Sequence, residues 1–509
     1  MPADAYLIDS NSNIQDTAAQ LIHVLALSKT APRRFRRDYL DSFDWRLFSK
    51  GYYLQAEHHD DAILLQLRRL NDLSLVTQLH STTLPRFTGD LGPGKLATVL
   101  RPILEMRALL PQLTTEVRQQ GLQLRDAADK ITGEVCIEAI ESARQSLKLV
   151  LHIPVKGYDK DNQTIHRHLQ RDVAFQPIDD APLQLLLRAR NIDTAYHSKP
   201  RHSLNGQARS DDQIKGLLAF FLDLMQHNQA GIVADIDSEF LHDYRIAVRR
   251  SRTLLSQLPG IMPQRTVQRA QINLARLGRI TTPLRDLDVM LLNFDDYRAL
   301  LPDHLRADLD PALAVIRQQR HGAYKRVKQH LRSKSHGDFC TRWRRFLQTP
   351  GPAHTPLTNA QRLLRELVDE RIWKNYKKVL KQGKAIGDLS PPEDLHELRK
   401  RCKKLRYLIE FFRELYPKRE IKQLIAVFKQ LQDNLGEYQD AHVHLDFFKE
   451  LRHTMQQQKH LPPATALALD KINAALATQQ DVCRQSFQEC FDQFSSAPHQ
   501  KRFKAMFRS

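Results

Sequence analysis

Two stretches of this chain lie over each other without a gap when the sequence is displaced by 154 residues. LHDYRIAVRRSRTLL at 241–255 then covers LHELRKRCKKLRYLI at 395–409. His242 meets His396, Arg245 meets Arg399, Arg249 meets Lys403, Arg250 meets Lys404 and Arg252 meets Arg406. The register holds downstream, where Pro263 meets Pro417, Leu277 meets Leu431, Asp286 meets Asp440 and Phe294 meets Phe448. An ungapped match of this length implies two copies of one unit, related by a pseudo-twofold.

The repeated unit is helical. From about 212 onward, apolar residues recur at helical spacing with few glycines, and Pro/Gly breaks fall at 259–263, 350–356 and 390–392. Asp237-Ser238 and Ser390-Pro391-Pro392 are helix-start signals ahead of the two motifs. The region before about 190 has a different texture. Candidate strands are 52–57, 62–68, 120–125, 134–138 and 147–153, punctuated by Gly51, Gly121 and Gly133, with a helix near 94–101. The expected organisation is an α+β domain over 1–190, a linker over 191–211 and an all-α domain over 212–500. Its repeats span about 212–345 and 358–500.

The net charge of +19 is unevenly placed. Residues 1–210 carry 27 basic and 24 acidic side chains, and residues 211–509 carry 50 and 34. An excess confined to the helical part points to an anionic partner. There is no apolar run of transmembrane length and no signal-peptide pattern, so a cytoplasmic, membrane-free protein is expected. The five cysteines have neither disulfide nor metal-ligand spacing, and no metal or cofactor is expected.

Each motif reads His-x-x-Arg-x-x-x-basic-basic-x-Arg. At 100° per residue His242, Arg245, Arg249 and Arg252 form one stripe about 15 Å long. His396, Arg399, Lys403 and Arg406 form its counterpart. Leu241, Tyr244, Val248 and Leu255, with Leu395, Leu398, Cys402 and Ile409, lie on the adjoining face, so each stripe should line a groove. Cations in a row repel unless an anion joins them, and arginine forks with mobile lysines suit phosphate oxygens. Histidine among cations is discouraged from protonating and can act as a neutral donor. Asp286 and Asp440 are placed to orient the stripes. Lys400 and Lys404 extend the second motif. Arg317, Lys325 and Lys328 on one helix, and Lys374, Lys378 and Lys381 on another, add further charge. No basic-aromatic platform for stacking bases is evident, which favours a ligand without bases over nucleic acid.

LHDYRIAVRRSR and LHELRKRCKKLRY, followed by LRDLDVML and YQDAHVHL, resemble the conserved histidine α-helical domain, CHAD, over about 212–500. The resemblance implies two four-helix bundles around a basic channel, binding of inorganic polyphosphate and association with polyphosphate granules. The matching contact positions would be His242, Arg245, Arg249, Arg252, His396, Arg399, Lys403 and Arg406.

YLDSFDWRLFSKGYYLQ at 39–55 resembles the CYTH, or triphosphate-tunnel, family over about 1–180, which implies a β-barrel tunnel. The chain departs from that pattern where chemistry is needed. AYLIDSNSN stands where the family has Glu-x-Glu-x-Lys, Leu54-Gln55-Ala56-Glu57 lacks tunnel arginines, and SLKLVLHIPV at 146–155 lacks paired glutamates. Glu134 and Glu138 lie about 13 Å apart along one strand face. Arg107, Arg125 and Lys130 are the remaining candidates for a tunnel wall. A degenerate tunnel without catalysis is the expectation. A metal-dependent tripolyphosphatase and a nucleic-acid binder are the alternatives.

Overall fold

A computed structural model describes residues 4–9, 12–60, 62–142, 145–196, 204–352, 354–387 and 389–508. The chain divides into two units, Met1–His197 and Ser198–Ser509. Of the linker expected at 191–211, residues 197–203 lie outside the described residues, and its last two residues already belong to a helix.

Period-2 patterning in the first unit builds an antiparallel sheet. Its strands are β1 (Asp4–Leu7), β2 (Ser28–Lys29), β3 (Arg33–Asp41), β4 (Tyr52–His58), β5 (Ile63–Arg69), β6 (Leu75–Ser81), β7 (Leu110–Arg125), β8 (Ile131–Ser142), β9 (Gln145–Ile153) and β10 (Gln176–Ile178). They run in the order β10-β1-β9-β8-β7-β3-β4-β5-β6, with β2 on β7. No pairing joins β6 to β10 among the described residues, so hydrogen bonding leaves the expected barrel open. Helices α1 (Ile14–Leu25), α2 (Arg46–Ser49), α3 (Lys95–Leu104), α4 (Asp159–Arg171) and α5 (Pro182–Ala189) complete the unit. Leu21 of α1 and Ile165 of α4 pack with Val135 and Val150 of the sheet, while Leu100 of α3 packs on Leu54 and Leu65.

Gly51 has φ +80 in the turn before β4, as expected of a breaker. Gly121 and Gly133 do not break strands but lie inside β7 and β8. A Cβ there would come within 2.6 Å of Thr30 Oγ1 and 2.5 Å of Ile165 Cδ1 respectively. Both positions are kept bare so that a neighbouring segment can approach the sheet.

The second unit contains α6 (Ser210–Ala234), α7 (Ser238–Gln257), α8 (Gln264–Leu292), α9 (Phe294–Ala299), α10 (Asp310–Leu331), α11 (Lys334–Gln348), α12 (Leu364–Gly383), α13 (Pro392–Phe412), α14 (Lys418–Gln457), α15 (Pro463–Gln485), α16 (Phe487–Ser495) and α17 (Ala497–Phe507). The 154-residue displacement carries α6 onto α12, α7 onto α13, α8 onto α14 and α10 onto α15, with starts that agree to within one residue. The copies differ after Leu292, where the first repeat breaks at Asn293 and the second continues as the 40-residue α14. Asp237 caps α7, its Oδ1 accepting from Glu239 N at 2.9 Å and Phe240 N at 3.2 Å. The apolar face expected beside the stripes is buried in both copies, including Tyr244 and Leu398.

Segments ahead of the two repeats pair with each other. Arg209 forms an antiparallel bridge with Leu363, its own counterpart under the displacement. Ser210 N donates to Arg362 O, and Leu364 N donates to Ala208 O. No helix among the described residues is long and apolar enough to cross a membrane.

Candidate functional site

The cationic face of α7 and that of α13 open on common space. A cavity of about 530 Å³ is lined by His242, Arg245 and Arg249 of α7, Arg285 and Asp286 of α8, Arg399 and Lys403 of α13, and Asp440 and His444 of α14. Arg245 and Arg249 also line an adjoining cavity of about 240 Å³, which Arg252 and Arg279 complete. Arg249, Arg252 and Arg279 continue into one of about 650 Å³, where Lys404 joins from the other repeat. Lys404 in turn lines a fourth, of about 160 Å³, with Lys378, Lys400 and Arg401. Consecutive cavities share residues, and both repeats contribute cations to their walls.

Arg249 sits at the junction of three of these cavities, its guanidinium 5.5 Å from the centre of the Tyr407 ring. Arg245 is fixed against α8, donating to Thr281 Oγ1 and Thr282 Oγ1, both at 2.9 Å. Burial pushes Arg245 down to about 10, and the charges of Arg249 and Arg285 act in the same direction against Asp286. Lys403 is pushed down to about 8 by burial, then by Arg399, Arg249 and Arg406, with Asp440 opposing. Arg399 is lowered by burial first and by Arg249. Burial also lowers His444, against the pull of Asp440. Cations held below their ordinary values store unfavourable energy, which an entering anion relieves.

Acidic side chains of the protein answer part of this charge. Arg399 pairs with Asp440 at 2.9 Å, Lys400 with Glu397 at 2.7 Å and Arg406 with Glu410 at 2.5 Å. Among the described residues Arg249, Arg252, Lys403 and Lys404 form no ion pair.

Several expected positions lie elsewhere. Arg250 is 9 % exposed, faces the Phe221 ring and approaches Glu410 at 3.8 Å; it lies on the packed side of α7, because it follows Arg249 by 100°. Arg406 is held by Glu410 and by Gln432 at 3.2 Å and does not line the groove cavities. His396 is set back from the cavity, its Nδ1 bonded to Gln439, which does line it. Lys325, Lys328 and Lys374 are not among the lining residues, and Lys328 Nζ donates to Tyr324 Oη at 3.0 Å. Arg279, Arg285, Arg401 and His444 were not anticipated. Arg279 and Arg285 share the face of α8 that carries Thr282 and Asp286, a helical periodicity readable from LGRITTPLRD.

In the first unit a cavity of about 490 Å³ is lined by Arg33, Arg37, Arg68, Glu57, Glu134 and Glu138, with Gln55, Gln66 and Gln119 among them. Arg37 donates to Glu57 at 2.7 Å and Glu138 at 2.8 Å, with all three side chains under 10 % exposed. The wall residues expected from sequence are displaced. Arg107 is buried beside Asp44 at 3.5 Å, Arg125 pairs with Asp129 at 3.2 Å beside the β7–β8 turn, and Lys130 lies in that turn. The arginines that do line the cavity, Arg33, Arg37 and Arg68, come from β3 and β5 and lie outside the 39–55 segment.

No curated protein matches the chain by sequence. A crystal structure of the CHAD domain from the plant Ricinus communis is 21 % identical, with a TM-score of 0.47, covering 58 % of this chain and 96 % of that one. PptA from Streptomyces chartreusis is 18 % identical with a TM-score of 0.43, covering 56 % and 100 %. The N-terminal region is structurally similar to HpAC1 from Hippeastrum, an adenylyl cyclase by name with a dominant triphosphatase activity. That match is 9 % identical with a TM-score of 0.29, covering 39 % of this chain and 100 % of that one. The family model for the CHAD domain matches from within α6 to within α14, taking in both basic stripes: residues 216–449 of this chain are a CHAD domain.

Proposed function

We propose that the helical unit binds inorganic polyphosphate along the groove between its two repeats, arranged as bundles about a pseudo-twofold. CHAD is a family associated with polyphosphate. The observation that carries the reading is the sharing of Arg249 and Lys404 between successive cavities, which makes a line of cations from the two copies. A linear polyanion satisfies such a line at many points, while a compact anion occupies one cavity. Binding displaces counterions and weakens with salt. Residence at polyphosphate granules follows from such binding.

The first unit is proposed to be non-catalytic. Its carboxylates Glu57 and Glu138 are engaged by Arg37, whereas metal-assisted phosphate hydrolysis needs clustered carboxylates free to hold a divalent ion.

The test is retention of long-chain polyphosphate by the full chain at physiological salt, with RNA and DNA as competitors. Arg249→Ala, Lys403→Ala and Lys404→Ala in combination should abolish retention, while Lys325→Ala with Lys328→Ala should leave it intact. Undiminished retention in the triple variant overturns the site, and preferential displacement by nucleic acid overturns the ligand.

A further inference from the structure

Asp4, His152 and His166 come from three separate segments and converge at one point of the first unit. Asp4 and His152 are cross-strand partners on β1 and β9. His166 lies on α4, beside Ile165, which is buried against the sheet. Leu151 and Ile153 line the polar cavity of that unit, so His152, between them on the strand, faces the opposite side, toward α4.

Asp4 Oδ2 lies 2.6 Å from His166 Nδ1 and 3.4 Å from His152 Nδ1, and a ligand atom from each residue lies within 4.8 Å of the others. Tyr6 Oη stands 3.5 Å from His166 Nδ1. Two imidazole nitrogens thus aim at the same carboxylate oxygen. The 3.4 Å separation is long for an N–H···O bond. It is close to the spacing of roughly 3.3 Å that donors adopt about a tetrahedral ion with bonds of ~2.0–2.1 Å. The Asp4–His166 separation would have to open by only roughly 0.7 Å to match it. His152 is fully buried, while the side chains of Asp4 and His166 are 25 % and 27 % exposed. One face of the point is therefore closed by protein and the other is reachable by solvent.

We propose that Asp4, His152 and His166 form a binding site for a divalent transition-metal ion, with zinc as the expected occupant. Two nitrogens and one carboxylate suit a borderline ion such as zinc better than magnesium or calcium, which favour oxygen alone. Solvent completes the coordination on the exposed side. The ion would tie β1 to β9 and α4, and its position on the far side of β9 separates it from the polar cavity.

The experiment is zinc titration of the full chain after chelator treatment, followed by competition with a chromophoric chelator. The same titration is run on His166→Ala and Asp4→Asn, both at partly exposed positions, with circular dichroism to verify folding. Wild-type should bind one zinc more tightly than its remaining histidines do, and each variant should lose that step or weaken it by about tenfold or more. Thermal melting of wild-type should shift upward with zinc and that of the variants should not. Absence of a stoichiometric step in wild-type, or an unchanged step in both folded variants, overturns the site.

Discussion

Arg399 of the second repeat is held by Asp440 at 2.9 Å, while its counterpart Arg245 is held by the hydroxyls of Thr281 and Thr282. The same arginine therefore makes a direct ion pair in one copy, whereas in the other its hydrogen bonds go to hydroxyls and Asp286 acts on it only through space. Asp440 is 62 % exposed at its side chain, so the pair is screened and weak. Asp440→Asn removes a negative charge from the groove at little structural cost. Polyphosphate affinity should rise about twofold at low salt, a gain of ~0.5 kcal/mol that disappears as salt is added. A salt series of binding isotherms decides this, and weaker binding in the variant would show that Asp440 matters by orienting Arg399.

Lys403 makes binding depend on pH. Burial and then the neighbouring cations bring it from 10.5 to about 8. Between about 8 and 10.5 the unfolded chain holds a proton that the folded chain has released, so this group makes the free protein more stable as pH rises through that window. A bound polyanion favours the protonated amine, so affinity should fall over the same window. Melting temperatures and isotherms across the window should show these opposite slopes. Both contributions should vanish in Lys403→Met.

The repeat made the helical unit readable because an internal match reports on packing as well as propensity. Identical spacing at His242 and His396 marked α7 and α13, and the downstream matches run along α8 and α14. Charge alone could not tell the groove from the rest of the surface. Arg250 and Arg249 are adjacent and equally basic, yet the first packs near Phe221 and the second faces the cavities. The Arg37 network escaped notice for a different reason. Its partners Glu57 and Glu138 are 20 and 101 residues away, and only the pairing of β3 with β4 and β7, and of β7 with β8, unites them.

That network should be costly to break. Burial raises Glu138, but the charge and hydrogen bonds of Arg37 outweigh it and hold the carboxyl below its ordinary value. In Arg37→Met two buried carboxylates lose their common partner, a loss of about 3 kcal/mol at neutral pH. In wild-type the stabilisation from Glu138 is present above its unfolded value near 4.5 and is lost as pH falls through its lower folded value. In the variant burial is opposed only by the Gln119 hydrogen bond and the more distant charge of Arg68, so the carboxyl rises relative to wild-type and protonation costs the folded form less. Denaturant unfolding should therefore show the stability gap narrowing from pH 7 toward about pH 4.5. A constant gap would mean that Arg37 acts through packing alone.

Two helical glycines should respond to alanine with opposite signs. In an open helix Gly→Ala stabilises by up to ~1 kcal/mol through backbone entropy. Gly436 of α14 meets nothing within 4 Å at its missing Cβ, so Gly436→Ala should raise the melting temperature. Gly231 of α6 lies against Phe240 of α7, where a Cβ would fall 2.2 Å from Cδ1 and 2.4 Å from Cγ. Phe240 is 1 % exposed and has no room to retreat. Overpacking of this kind costs about 1–3 kcal/mol, which exceeds the propensity gain, so Gly231→Ala should lower the melting temperature. Because α7 carries His242, Arg245 and Arg249, displacing Phe240 would also shift the first stripe. Polyphosphate affinity should fall with stability in Gly231→Ala and remain unchanged in Gly436→Ala, and scanning fluorimetry alongside binding isotherms separates the two.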